Sequence, residues 1–224
     1  GETLNETLLR AERWGLPSDT YFCRVTRGRL GLSRGDLQAA EEDIGEAERV
    51  GASSLVYPTL VPLLERERVR LWAAQGRLPQ LRNWLQDCPA DRELRPLNRE
   101  LLLMTKARAL IAAGGTEEAR RLLEDLAPAA ESGGRFGRLL EIRLLQALAE
   151  NAAGNLPAAM RMIESALSLA EPENYVRLFL DEGDPLVSLL DLYSHAGRPD
   201  NPAAAEYARR LEDYARRLIA ARGR

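Results

Sequence analysis

The sequence predicts an all-α protein in which helix pairs stack side by side, and three observations support this class. Gly35, Gly76, Gly114 and Gly154 follow one another at intervals of 41, 38 and 40 residues, and a fixed period of this size is typical of an array of repeated units. Small or apolar residues recur at constant distances from each of these glycines. No stretch shows sustained alternation of apolar and polar residues, so we expect almost no strand.

The recurring positions lie on the faces by which helices pack. The residues seven before and five after the four glycines are Gly28, Val69, Ala107 and Ala147, and Ala40, Leu81, Ala119 and Ala159. Small residues let two helices approach closely, and glycine tolerates the left-handed backbone that closes a helix. Each of the four glycines is therefore predicted to join the two helices of one unit.

Caps, glycines and prolines place the helix ends. A first helix over 2–14 stops at Gly15, and Ser18 or Asp19 is the expected N-cap of the next helix, which runs to about Arg34. The later repeat helices are expected from Asp36 to about Gly51, from Pro62 to Gln75, in a short stretch ending before Pro89, from Pro96 to Ala113, from a cap at Thr116 to about Ser132, and over 135–153 and 156–171.

The pattern changes after Pro172, so we divide the chain into a repeat array over 1–172 and a C-terminal helical extension over 173–224 that caps it. Within the extension, Asp184 is expected to cap a helix that runs to about Ala196, and a last helix covers 202–222. That last helix carries one apolar stripe among charged residues, which suits a terminal element that turns a face to water. The stripe is Tyr207, Leu211, Tyr214 and Leu218.

Composition excludes several classes of function. The net charge of −3 argues against direct nucleic-acid contact, because such proteins are usually basic. No apolar run is long enough to cross a membrane. Cys23 and Cys88 fall in apolar positions, which favours buried free thiols and a cytoplasmic location over a disulfide. His195 is the single histidine, and no Cys or His pair has metal-ligand spacing, so no catalytic or metal-binding residue is predicted.

The three tryptophans are expected to pack in the core or between repeats. They are Trp14, Trp72 and Trp84. An alternative for Trp72 is that it stacks against a sugar at the edge of a groove.

The glycine-centred columns resemble a long variety of tetratricopeptide repeat. The segment Ala166–Gly183, ALSLAEPENYVRLFLDEG, is more specific and closely resembles the end of the sensor region in the large, ATP-binding LuxR-type transcriptional activators of the MalT-like family. That family often has glycine after its Pro-Glu pair, where this chain has Asn174. The resemblance implies a right-handed superhelix of tetratricopeptide-like helix-turn-helix repeats.

The same resemblance implies that other functions of the full-length protein lie outside this segment. ATP binding is expected on a separate N-terminal module, since no phosphate loop occurs here, and a helix-turn-helix DNA reader is expected on the C-terminal side. We expect no cofactor on this segment, no enzymatic activity, and self-association of the full-length protein.

In repeats of this kind the first helix of each pair lines a concave groove, which gives a set of candidate binding residues. They are Arg29, Arg66, Arg70, Met104, Arg108, Glu141 and Asn151. Arg29, Arg70 and Arg108 occupy equivalent positions and form a ladder of donors for a carboxylate, a phosphate or an acidic peptide. The simpler interpretation is that these arginines are solvated or paired with glutamates of the next unit.

The leading functional hypothesis is a signal-sensing and oligomerisation domain that binds a small-molecule inducer or a regulatory protein in this groove. The alternative is a tetratricopeptide scaffold for protein–protein interactions that has no small-molecule inducer.

Overall fold

The computed structural model is all-helical in the part of the chain that it describes, residues 2–88, 95–195 and 202–222. Twelve α-helices and no strand lie in those ranges. The helices are α1 (Glu2–Arg13), α2 (Pro17–Arg34), α3 (Leu37–Ser53), α4 (Val61–Ala74), α5 (Leu78–Gln86), α6 (Pro96–Ala113), α7 (Thr116–Ser132), α8 (Phe136–Ala152), α9 (Leu156–Ala170), α10 (Arg177–Leu180), α11 (Asp184–Ser194) and α12 (Pro202–Arg222). A short 3₁₀ turn, Pro58–Leu60, precedes α4. The predicted fold class, an α-α helical repeat, is confirmed.

All four repeat glycines close helices in the left-handed conformation. Their φ angles are 75°, 65°, 88° and 77° in chain order, a backbone region that a Cβ atom disfavours. At Gly35 the amide donates to the carbonyl of Leu32 and the amide of Asp36 donates to that of Gly31, at 3.1 and 3.0 Å. This is the Schellman arrangement, which satisfies the last carbonyls of α2. The predicted role of these glycines is therefore confirmed.

Two of the turns also carry a side-chain cap for the following helix. The Asp36 carboxylate accepts from the amide of Ala39 at 3.1 Å, and the Asn155 side chain accepts from the amide of Ala158 at 3.4 Å. One glycine and one capping residue therefore end a helix and start the next, in a connection of two residues between α2 and α3 and of three between α8 and α9.

The chain forms two compact units, Gly1–Ala113 and Gly114–Arg224. In the first unit, α2 packs on α3 and α4 packs on α5, so these helices form two pairs. The helix that begins the second pair, α4, also packs on α2 and on α6. The close approach of α2 and α3 depends on small residues, since a Cβ at Gly28 would lie 2.8 Å from Cγ1 of Ile44. The predicted packing role of the small column is confirmed, because its other members, Val69, Ala107 and Ala147, are 0% exposed.

The second unit has one large apolar core. In it α8 packs on α7 and α9, and α11 and α12 pack on α9. Of the predicted α12 stripe, Leu211, Tyr214 and Leu218 are buried, whereas Tyr207 is 39% exposed and its hydroxyl donates to Ser168. The Tyr214 hydroxyl donates to the carbonyl of Tyr175. The extension predicted over 173–224 therefore packs against repeat helices within this unit.

Several local predictions were wrong. α2 begins at Pro17, with Leu16 as N-cap and no capping side chain, because a first-turn proline already fixes a helical φ. Thr116 lies in the first turn of α7 behind the N-cap Gly115. Asp184 likewise follows its N-cap, Gly183. Trp14, predicted to pack, is 68% exposed.

Other expectations have mixed outcomes. α11 ends at Ser194, with His195 as its C-cap. The predicted end at about Ala196 falls on a residue outside the described ranges. Trp84 is buried, and its indole N–H donates to the Glu65 carboxylate at 2.5 Å. Trp72 is partly buried, and the guanidinium carbon of Arg68 lies 4.8 Å from the centroid of its ring.

Candidate functional site

The candidate site is built on the layer of first helices in the first unit. Here α2 packs on α4 and α4 packs on α6, so equivalent positions of successive repeats lie on neighbouring helices. Arg29, Arg70 and Arg108 each stand six residues before a repeat glycine. The structure places one of these arginines on each of the three helices.

Glu67, on α4, is the residue around which the arginines gather. Its side chain is 0% exposed. Nε of Arg66 donates to one carboxylate oxygen at 2.7 Å, and Nη1 of Arg70 donates to the other at 3.4 Å. Both oxygens of a fully buried carboxylate are thus held by guanidinium groups, which offsets the cost of burying its charge.

A third arginine, Arg29, acts electrostatically on the same carboxylate. Burial by itself raises the pKa of Glu67, but Arg70, Arg66 and Arg29 outweigh this effect, and the pKa of the carboxyl lies below its ordinary value. Arg29 comes from α2, so the group joins two successive helix pairs. We call Arg29, Arg66, Glu67 and Arg70 the arginine cluster.

The members of the arginine cluster differ in their access to solvent. The Arg66 and Arg70 side chains are 12% and 9% exposed, and Arg29 is half-buried. Arg66 and Arg70 are therefore largely removed from water, whereas Arg29 is more accessible. Such groups are already desolvated and pre-oriented, which strengthens a charge-assisted hydrogen bond.

The predicted residues on α6 are buried. Met104 and Arg108 are the predicted ones, and Glu100, which was not predicted, precedes Met104 by four residues on the same side of the helix. Glu100, Met104 and Arg108 are 8%, 0% and 7% exposed. Met104 thus lies in the interior, and Arg108 offers a ligand only a small part of its surface.

The two remaining predicted residues lie in the second unit. Glu141 on α8 is 3% exposed and accepts from Arg138 at 3.0 Å. Asn151, near the end of α8, is exposed. The structure therefore brings together Arg29, Arg66 and Arg70, all in the first unit, while these two belong to another part of the chain.

Arginines outside the cluster also form ion pairs, several of them between neighbouring helices. Arg24 on α2 joins Glu12 on α1 and Asp43 on α3, at 2.5 and 2.9 Å. Arg68 on α4 reaches Glu48 on α3 at 3.1 Å. These contacts agree with the simpler interpretation of the arginines, in which they pair with acids of neighbouring helices.

Sequence reasoning missed Glu67. It stands nine residues before Gly76, a position outside the surface columns that the repeat predicts. The available signal was local, because Arg66 and Arg70 flank Glu67 at i−1 and i+3 spacing within the charged middle of α4.

A second feature of the first unit, also missed, is an open apolar cleft of about 330 Å³ between the start of α2 and the segment before α4. Its lining residues are Leu16, Pro17, Ser18, Asp19, Leu55, Val56, Tyr57 and Pro58. Leu55 and Tyr57 are 93% and 68% exposed. The amide of Tyr57 donates to the Ser18 hydroxyl at 3.2 Å, which ties the two sides of the cleft together.

Residues 2–196 match the family model of the MalT-like TPR region. The chain belongs to this family. The match confirms the predicted resemblance and extends over α1 to α11, whereas α12 lies beyond it. No curated protein sequence matches the chain.

One departure from the MalT-like pattern now has a structural reason. Asn174, where the family often has glycine, has a φ of 52°. This left-handed conformation is one that asparagine tolerates better than other residues with a Cβ. The substitution therefore preserves the turn between α9 and α10.

The described part of the chain holds no candidate membrane span and no candidate metal centre. Among the described helices, none combines the length and apolar character needed to cross a bilayer. Within 2–88, 95–195 and 202–222, no group of three His, Cys, Asp or Glu residues is placed to hold a metal ion. Cys23 and Cys88 are buried free thiols.

Proposed function

We propose that this MalT-like TPR region is the signal-sensing part of a LuxR-family transcriptional activator. The observation that carries the proposal is the family match over 2–196. The full-length protein would be cytoplasmic, with ATP binding and DNA reading on other modules. This region itself performs no chemistry and acts by binding.

The proposed binding site is the arginine cluster, and its ligand is a small-molecule inducer or a regulatory protein. The cluster takes Arg29 from one helix pair and Arg66, Glu67 and Arg70 from the next. A ligand that contacts both pairs stabilises one arrangement of α2 against α4. It changes the population of the self-associating form only if it binds that form more tightly than the resting form.

The test uses the full-length regulator and a reporter of its target promoter. Arg29→Gln removes the least buried cation of the cluster, and Arg34→Gln is its matched control, because Arg34 is exposed on the same helix. We expect Arg29→Gln to reduce the response to inducer while Arg34→Gln responds normally. Normal induction of Arg29→Gln, with unchanged helicity by circular dichroism, contradicts the proposed site.

A second candidate function is a protein-binding scaffold, which the apolar cleft favours. A side chain as exposed as Leu55 is suited to packing against a partner. Under this hypothesis Leu55→Ser weakens capture of the regulatory protein, whereas Leu192→Ser, at an exposed position on α11, does not. If Leu55→Ser captures the regulatory protein as well as the wild type does, the cleft is not the binding site.

A further inference from the structure

The apolar cleft between the start of α2 and the segment before α4 has a composition that points to the chemistry of its partner. We propose that the cleft binds an extended, proline-rich peptide segment that carries a basic residue beside its apolar part. This inference rests on the second candidate function, since it takes the cleft to be a protein-binding surface. It names the class of partner segment that this surface selects.

The first argument is the kind of apolar surface that lines the cleft. Pro17 and Pro58 lie on its two sides, and each follows an exposed apolar residue, Leu16 or Tyr57. Tyr57 is 68% exposed and Leu55 is 93% exposed. Grooves lined by aromatic and other apolar side chains are the usual receptors for proline-rich segments, which already hold the extended polyproline II conformation before they bind. The lining therefore suits such a segment.

The second argument is the backbone on one side of the cleft. Ser54 is extended, with φ and ψ of −141° and 153°, and Tyr57 has φ and ψ of −60° and 126°. In the described part of the chain, the amides of Leu55 and Val56 donate to no other backbone group. A proline-rich segment offers mainly carbonyl groups, because proline has no N–H. Unused amides beside the cleft therefore complement the acceptors of such a segment.

The third argument is charge complementarity. Asp19 is the only charged residue that lines the cleft, and its side chain is exposed. It forms no ion pair with any other described residue. An exposed carboxylate at the edge of an apolar surface selects a partner that places a cation beside its apolar residues and disfavours a partner with an acid there. The expected segment therefore carries arginine or lysine.

An amphipathic helix and a second copy of this chain are the competing occupants. A helix pairs its own carbonyls internally, so it cannot use the amides of Leu55 and Val56. Two copies that met symmetrically at the cleft would bring one Asp19 towards the other, and like charges repel across an interface. The observations therefore favour the extended basic segment.

The experiment measures binding of fluorescently labelled synthetic peptides to this chain by fluorescence anisotropy. The arginine peptide repeats proline and leucine over about ten residues and ends in one arginine. The glutamine peptide is identical except that glutamine replaces the arginine. A third peptide keeps the arginine but has alanine in place of proline, which favours a helix. Sedimentation velocity of the chain alone reports self-association.

The charge of Asp19 is tested by comparing the arginine and glutamine peptides. We expect the wild type to prefer the arginine peptide by about two- to fivefold, the size of one exposed ion pair. Asp19→Asn should abolish that preference and leave the affinity for the glutamine peptide unchanged. Asp125→Asn, the same change at an exposed position on α7, is the matched control and should keep the wild-type preference.

The apolar contact is tested at Leu55. Leu55→Ser should weaken the binding of both proline-rich peptides by at least about tenfold, because burial of a leucine side chain contributes at least this factor to affinity. Leu192→Ser, at an exposed position on α11, should bind both peptides as the wild type does. Circular dichroism checks that each variant keeps its helicity.

Several results overturn the proposal. One is no binding of the arginine peptide up to about 1 mM, where even a millimolar dissociation constant gives half saturation. A second is equal affinity for the arginine and glutamine peptides, or a preference that survives Asp19→Asn. A third is tighter binding of the alanine peptide. A fourth is self-association that Leu55→Ser abolishes, since a second copy then occupies the cleft.

One further comparison separates this inference from the second candidate function. If Leu55→Ser loses capture of the regulatory protein but no proline-rich peptide binds the wild type, the partner class is wrong and the cleft stays the protein-binding surface. If Leu55→Ser captures the regulatory protein as well as the wild type does, the cleft itself is wrong.

Discussion

The two compact units differ in what they bury. The largest apolar cluster of the second unit holds seventeen buried residues, whereas the two clusters described in the first unit hold seven and six. Among the described residues, the first unit also buries four charged side chains, Asp43, Glu67, Glu100 and Arg108, and the second unit buries two, Glu141 and Glu212. Buried ion pairs contribute little net stability compared with apolar packing. We interpret the first unit as the part of the chain specialised for recognition and the second as the part specialised for stability.

This comparison can be tested because the units have different spectroscopic reporters. Trp14, Trp72 and Trp84 all lie in the first unit, so tryptophan fluorescence follows that unit alone. Far-UV circular dichroism follows the helices of both. Each variant below is unfolded in urea with the two signals recorded together.

The largest effect is expected for Glu67→Gln in the first unit. The change leaves the charges of Arg66 and Arg70 without their shared carboxylate, and breaking a buried ion pair in this way costs about 3–5 kcal/mol. The fluorescence midpoint should fall accordingly. Glu42→Gln, at an exposed position on α3, is the control and should change little. A similar small effect for both variants would show that Glu67 is not a structural ion-pair partner.

The next effect is expected for Leu144→Ala in the second unit. Leu144 is 0% exposed in the large apolar cluster, and truncating such a residue costs about 2–5 kcal/mol. The dichroism transition should shift while the fluorescence midpoint stays close to that of the wild type. Leu192→Ala, 51% exposed, is the control. Equal shifts in the two signals would break the distinction between the units.

The pH dependence sharpens the same contrast. The pKa of Glu67 is lower in the folded chain than in the unfolded chain, so its charge stabilises the first unit above the ordinary Glu pKa of about 4.3. This stabilisation disappears as the pH falls through the folded-state pKa. The fluorescence midpoint of the wild type should therefore approach that of Glu67→Gln in acid. A constant difference between them at all pH values would contradict the assignment.

The smallest effect is expected at the repeat glycines, and it should be the same in both units. At Gly35 and Gly154 an added Cβ meets no atom within 4 Å, so alanine there costs only the left-handed backbone, about 1–2 kcal/mol. Gly45→Ala, inside α3 and also without a neighbour within 4 Å, should instead stabilise by about 0.5–1 kcal/mol. Fluorescence reports Gly35 and Gly45, and dichroism reports Gly154. Stabilisation by Gly35→Ala would mean that its left-handed turn is wrong.

The sequence predicted the helices well because their determinants are local. Gly35, Asp36 and the small residue Gly28 each act through neighbours within one helix pair, and the repeat displays them several times. The errors at Ser18 and Trp14 have a local origin too. Pro17 can begin a helix without a side-chain cap, and Trp14 follows the last residue of α1, where helical periodicity no longer fixes a face.

The composition of the site was harder to predict. Whether a charge such as Glu67 is buried depends on the helix that packs over it, and local sequence does not report this. The repeat register gave Arg29, Arg66 and Arg70 as site residues, and whether they bind a ligand stays a prediction. The same register could not distinguish them from Met104, which occupies a groove position but lies in the interior.

The glycine turn has a consequence for how such a chain changes over generations. The turn at Gly35 is made from the main-chain atoms of α2 and its two-residue connection, together with one cap. Lengthening a helix or the segment before α4 leaves that geometry intact, which fits the unequal spacing of 41 and 38 residues on either side of Gly76. Duplication or loss of a whole unit can therefore change the length of the array without redesigning any turn.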